Sequence, residues 1–170
     1  MGMIYLYTGT GAGKTTNALG LALRAIGHGR KVVVIQFMKG RKDVGEYKVR
    51  KRLQPLYEIY QFGGKGFITP GKHKPKDVEM ARKALKFAEE VVRKRKPFLL
   101  VLDEINLAVA WGLIRVEEVL GFLDRLPKRT NVVLTGRYAS KELIERADAV
   151  NEIVEVKYPK EMITQKGIQY

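Results

Sequence analysis

Three short clusters in the sequence carry residue types able to handle a polyphosphate and a divalent cation. The first is Thr8-Gly9-Thr10-Gly11-Ala12-Gly13-Lys14-Thr15-Thr16, which follows the apolar run Met3–Tyr7 directly. It matches the end of the G-x-x-x-x-G-K-[ST] pattern, with Thr8 in place of the first glycine. Glycines let successive backbone N–H groups turn onto a phosphate chain, Lys14 adds a mobile point charge, and the Thr15 hydroxyl can ligate Mg²⁺. The second cluster is Asp103-Glu104, closing the apolar run Phe98–Leu102. An aspartate there can orient Mg²⁺ through its water shell, and the adjacent glutamate can take a water or metal position. The third is Gly136-Arg137 after Asn131–Thr135, where a guanidinium can clamp a triphosphate or a developing charge. Lys14, Glu104 and Arg137 are therefore the expected catalytic residues, and Thr15, Asp103 and Glu104 the expected metal ligands. The chain has no cysteine, which excludes disulfides, thiolate zinc sites and a cysteine nucleophile. A metal must be held by oxygen or by one of two histidines, His28 and His73.

These clusters need a scaffold that brings them to one place. Strand, loop and helix follow one another at the first cluster, so the helix N-terminus adds its dipole and free N–H groups to the anion site. Lys14–Ile26 is apolar on nearly every face and is expected to pack on a sheet, ending at Gly27-His28-Gly29 with a left-handed glycine cap. His28 is expected to face the negative end of the helix dipole. Lys31–Met38 is a continuous β-branched strand of the kind covered on both faces, and Lys39-Gly40 closes it at the carboxyl edge, where open α/β sheets bind ligands. Asp43–Leu53 reads as a short basic helix and Tyr57–Phe62 as a strand near an edge. Gly63–Pro75 is a long irregular stretch around Phe67, either a substrate loop or a plain connection. Lys76–Lys96 is an amphipathic helix stopped by Pro97. Arg115–Leu126 and Lys141–Ala147 are further helices, Asn131–Thr135 and Ala149–Val156 further strands, and 158–170 is a tail without an assignable element. The alternation predicts a mostly parallel sheet flanked by helices.

The 170 residues suit one domain. No apolar run nears the roughly 18 residues of a membrane span, and the N-terminus runs straight into its first strand, so a cytoplasmic protein is expected. The net charge of +14 is uneven: residues 39–75 hold ten Lys/Arg against three acids, and 76–96 hold eight against four. Such a block fits nucleic acid, a phosphate-bearing substrate, or a solvated lysine-rich surface. No zinc-finger or RNA-recognition signature accompanies it, so sequence-specific nucleic-acid binding is not expected.

Beyond the motifs, the chain resembles the P-loop family of ATP:corrinoid adenosyltransferases. The likeness is carried by Thr8–Thr16, Arg24-Ala25-x-Gly27-His28-Gly29, Gln36-Phe37-x-Lys39-Gly40, Gly45-Glu46, Gly66-Phe67, Val101–Asn106, Thr135-Gly136-Arg137 and Lys166–Tyr170. The chain departs from the family at Ala12, where a lysine is frequent, and at Thr69, where some members place a tryptophan. The resemblance implies a single three-layer, RecA-like P-loop NTPase domain spanning residues 1–170. It implies transfer of the 5′-deoxyadenosyl group of ATP to reduced cobalt in a corrinoid, with release of triphosphate. Gly9–Thr16 would cradle the triphosphate, Thr15, Asp103 and Glu104 would hold Mg²⁺, Phe67 would face the corrin, and Lys39 and Asn106 would complete the ligand-binding set. It further implies a homodimer and an electron-donating reductase as partner. Competing readings are a RecA-like ATPase acting with nucleic acid, a nucleoside kinase, and an ATP-gated binding module.

Overall fold

The structure is a computed structural model that describes residues 2–64, 66, 71, 73–161 and 163–170. Six strands form one sheet: β1 (Ile4–Thr8), β2 (Val32–Phe37), β3 (Tyr57–Phe62), β4 (Leu99–Asp103), β5 (Asn131–Thr135) and β6 (Ala149–Glu152). Their spatial order is β3-β2-β4-β5-β1-β6, and every pairing is parallel. Parallel neighbours need crossover connections, which helices α1 (Lys14–Gly27), α2 (Gly45–Lys48), α3 (Arg50–Leu53), α4 (Pro75–Arg95), α5 (Ile105–Ala110), α6 (Val116–Asp124) and α7 (Lys141–Arg146) supply.

Strand alternation divides the core between two faces. Val33, Ile35 and Phe37 of β2 join Leu100, Leu102, Val132 and Leu134 beneath α4, α5, α6 and α7. Val32 and Val34 join Val101, Val133 and Ile59 beneath α1, whose buried apolar positions are all alanine, Ala18, Ala22 and Ala25. Small side chains let that helix lie close to the strands. This gives the expected three layers, and full burial of each large aliphatic contributes about 1.5–3 kcal/mol. Tyr57–Phe62 is an edge strand, as its weaker apolar content predicts.

The structure differs from the sequence expectations in four local respects. Leu23 of α1 is exposed, so that helix is one-sided rather than apolar all round. The Asp43–Leu53 segment forms two single-turn helices, α2 and α3. The last strand stops at Glu152, because the chain then leaves the ladder to cross the glycine loop, with Gly11 N–H donating to Ile153 O at 2.8 Å. Helix α5, unmarked by any capping residue in the sequence, starts directly after Glu104.

Candidate functional site

Strand register delivers the three clusters to one edge. β5 lies between β1 and β4, with Tyr7 level with Thr135 and Leu102 level with Leu134, so Thr8, Thr135 and Asp103 reach the carboxyl ends together. Gln36 of β2 is level with Asp103. Three non-glycine residues just past these strand ends, Met38, Glu104 and Tyr138, adopt positive φ of 58°, 67° and 58°. Each such residue costs on the order of 1–3 kcal/mol, and their concentration at one edge marks where the fold holds strain.

Gly9 and Gly11 serve close packing as well as loop freedom. A Cβ on Gly9 would sit 2.3 Å from Ile153 O, and one on Gly11 would sit 2.8 Å from the Val154 carbonyl carbon. Gly13, at φ 110°, opens α1 with nothing near its missing side chain, leaving that helix start clear for an anion. Lys14 is buried and folded back, its Nζ donating to Gly9 O at 2.8 Å and Gly11 O at 2.5 Å. Burial, then the positive charge of Arg137, holds the Lys14 ammonium below the ordinary lysine range.

Asp103 is the hub of the site. Its fully buried carboxylate accepts from Thr15 Oγ1 at 2.8 Å, Thr135 Oγ1 at 2.7 Å, Gln36 Nε2 at 3.0 Å and Lys39 Nζ at 2.7 Å. Burial alone would raise its pKa; the charge of Lys39 and these donors overcome that and hold it below the usual carboxylate range. Lys39 Nζ also donates to Thr15 Oγ1 at 3.1 Å and lies 3.7 Å from Glu104 Oε1. Burial opposes the Lys39 charge, but Asp103 and Glu104 outweigh it and raise the ammonium's pKa. Burial raises the Glu104 carboxyl, with Lys39 pulling it down and Asp103 pushing it up. One hydroxyl and two carboxylates thus converge on one positive charge. An all-oxygen set of this kind suits Mg²⁺, which uses one or two carboxylates and takes its remaining ligands from phosphate and water. Accordingly, the described residues contain no cluster of three or more His, Cys, Asp or Glu able to cage a metal alone.

A cavity of about 600 Å³ opens above these groups. Gly11, Ala12, Gly13, Lys14, Thr15, Lys39, Glu104 and Arg137 line one part of it, with Phe37, Met38, Leu107, Trp111, Tyr138 and Tyr170 elsewhere on its wall. Of the expected ligand-binding residues, Gly9, Thr10 and Thr16 belong to the loop without lining the cavity. Asn106 sits behind it: fully buried, its Nδ2 donates at 3.3 Å to both Tyr7 O and Gly136 O, tying β1 to the turn after β5. Phe67 and Thr69 lie outside the described residues.

Sequence reasoning missed Arg41 and Trp111 on the wall, and gave Gln169 and Tyr170, though part of the family likeness, no place in the site. The tail beyond Pro159 returns to the site, where the Arg41 guanidinium stands 5.1 Å from the Tyr170 ring centre. The single tryptophan of the chain was the available signal for Trp111. The likeness at Lys166–Tyr170 marked Tyr170 without placing it at the site.

Sheet order, glycine loop and acid-bearing strand define a RecA-like P-loop nucleotide-binding protein. In agreement, the fold is similar to the KaiC-like protein PH0186 of Pyrococcus horikoshii OT3, with a TM-score of 0.62 at 19% identity, covering 93% of this chain and 74% of that one. The sequence comparison is more specific: the family model ATP:corrinoid adenosyltransferase BtuR/CobO/CobP matches residues 1–170, and the chain belongs to that family. It is 38% identical to a corrinoid adenosyltransferase of Sinorhizobium sp., over 99% of this chain and 80% of that protein. Over 92% of its length it is 36% identical to the corrinoid adenosyltransferase of Escherichia coli (strain K12), spanning 79% of that protein.

Proposed function

We propose that this protein transfers the 5′-deoxyadenosyl group of ATP to the reduced, monovalent cobalt of a corrinoid, releasing inorganic triphosphate. The observation that carries the reading is the shared cavity, in which phosphate-handling groups and aromatic side chains line one space. Cobalt brings its own electron pair to the ribose 5′-carbon, and the bond from that carbon to the phosphate oxygen breaks with its pair on the leaving triphosphate. No protein nucleophile is required. The protein's work is alignment, neutralisation of the leaving group and exclusion of water.

In this reading the loop from Gly9 to Thr16 holds the triphosphate through backbone N–H groups, with Lys14 turning from its own carbonyls onto phosphate oxygen. Arg137 clamps the same charge from the β5 side. Thr15, Asp103 and Glu104 would hold Mg²⁺, which would supply electrostatic neutralisation of the triphosphate. Family likeness assigns Phe67 to the corrin, and Asn106 supports the turn that carries Arg137. A homodimer, a cytoplasmic setting, an electron-donating reductase and the absence of specific nucleic-acid binding complete the proposal, resting on family likeness and on the lack of any recognition signature in the basic segment. Among the described residues no helix is long and apolar enough to cross a membrane.

The test is incubation with ATP, Mg²⁺ and chemically reduced corrinoid, following the absorbance change of cobalt–carbon bond formation. Appearance of adenosylated corrinoid with one triphosphate per product is expected. Steady ADP release indifferent to corrinoid would instead identify a RecA-like ATPase.

A further inference from the structure

We propose that Lys39 is the resident cation of the Mg²⁺ position when no nucleotide is bound, so that the metal enters only together with ATP and displaces the ammonium toward the incoming phosphates. The inference rests on the reading of this cavity as an ATP and Mg²⁺ site. It concerns the order of events there.

Lys39 Nζ stands 2.7 Å from Asp103 Oδ2, 3.1 Å from Thr15 Oγ1 and 3.7 Å from Glu104 Oε1. Those are the same three side chains the site offers a metal. The Thr15 hydroxyl spends its proton on Asp103 Oδ1, so its lone pairs face the ammonium, as they would face a cation. The backbone fixes this aim: Met38 is left-handed immediately before Lys39, and Gly40 immediately after packs so tightly that a Cβ would meet Gly63 O at 2.4 Å. The other charged groups acting on the lysine and its two acids are Glu46, Lys14 and Arg137. A free divalent ion must therefore enter a site where Lys39 already offsets one of the two carboxylate charges and where Lys14 and Arg137 add two more cations nearby.

The lysine is also able to leave. Its side chain is 32% exposed and lines the cavity, whereas Asp103 is fully buried and does not. ATP brings phosphate oxygens that can accept from Lys39 while Mg²⁺ takes over the carboxylates, exchanging one ion pair for two. Lys14 repeats the pattern, its Nζ held by the carbonyls of its own loop until phosphate arrives. Both lysines are satisfied by partners within the chain.

Mn²⁺ serves as the probe, read by water-proton relaxation enhancement with and without ATP. Wild-type protein alone is expected to give no enhancement at Mn²⁺ concentrations that produce a clear ternary signal with ATP. Lys39→Met and Lys39→Gln are expected to bind Mn²⁺ without nucleotide at least about tenfold more tightly than wild type, the effect of removing a unit charge within about 4 Å of the metal. Lys39→Arg should continue to exclude it. Circular dichroism checks that each variant is folded, and the paired wild-type titrations decide the matter if none is. Equal Mn²⁺ binding by wild type with and without ATP, or no gain in folded Lys39→Met or Lys39→Gln, overturns the proposal. No enhancement from wild type even with ATP removes the metal-site reading beneath it.

Discussion

Thr15 and Asp103 are 88 residues apart in the chain and 2.8 Å apart in space, the threonine hydroxyl donating to the carboxylate. The contact ties the first turn of α1 to the end of β4 although β5 lies between β1 and β4. Thr135, at the end of that intervening strand, donates to the same Asp103 oxygen at 2.7 Å. Three elements of the sheet edge are thereby locked together through a single carboxylate.

Asp103→Asn should therefore destabilise the fold as well as the site. The new amide would point donors at Thr15, Thr135, Gln36 or Lys39 and leave the ammonium only the more distant Glu104 carboxylate, at 3.7 Å. Breaking a buried pair by removing one member costs about 3–5 kcal/mol. At roughly 2–4 °C per kcal/mol for a chain of this size, thermal unfolding should fall by on the order of 10 °C. An unchanged melting temperature would show that the carboxylate charge is not what holds this cluster.

Lys14→Ala should fold and lose ATP-dependent activity. The side chain touches loop carbonyls and no apolar core, so its removal opens no cavity. Loss of a charged hydrogen bond to phosphate weakens binding by about 1.5–3 kcal/mol, with a larger effect as charge develops on the leaving group. Calorimetric titration with ATP, alongside the adenosylation assay, checks both. Full activity in a folded variant would take the loop out of the mechanism.

Glu104→Gln distinguishes transfer from hydrolysis. A carboxylate here could activate water in a hydrolytic enzyme, whereas a transferase uses it for Mg²⁺. The substitution should lower adenosylation and triphosphate affinity without changing the products. Chromatography of the nucleotide pool should show negligible ADP from wild type or variant in the absence of corrinoid.

Asn106→Ala should act through stability. It removes the donor shared by Tyr7 O and Gly136 O; Tyr7 O keeps the Gly136 N–H at 3.2 Å, so the Gly136 carbonyl bears the main loss, at a cost of about 1–3 kcal/mol. Urea unfolding should register the loss. ATP affinity should fall less than in Lys14→Ala, because the asparagine does not line the cavity. The reverse order would make Asn106 a direct ligand.

Local sequence was sufficient for the glycine loop, for the strands carrying Asp103 and Arg137, and for their parallel arrangement. Loop chemistry depends on residues in immediate succession, and strands covered on both faces announce themselves as unbroken apolar runs. Gln36 and Lys39 could be seen at the end of such a run, but not what they would touch. Their partner Asp103 lies more than sixty residues away, and only the register of β2 against β4 brings it level with Gln36. Helix α5 escaped notice because Glu104 opens it with positive φ and no capping side chain. Tyr170, marked by the family likeness, could not be placed because its position depends on where the tail returns, beside Arg41. The sequence by itself determined which chemistry the chain carries, since that follows from residue type and short-range spacing. Tertiary structure alone decided that Lys39 rests on Asp103 beside Glu104 and that Asn106 braces the strands behind them, because both outcomes depend on side chains from distant segments meeting at one sheet edge.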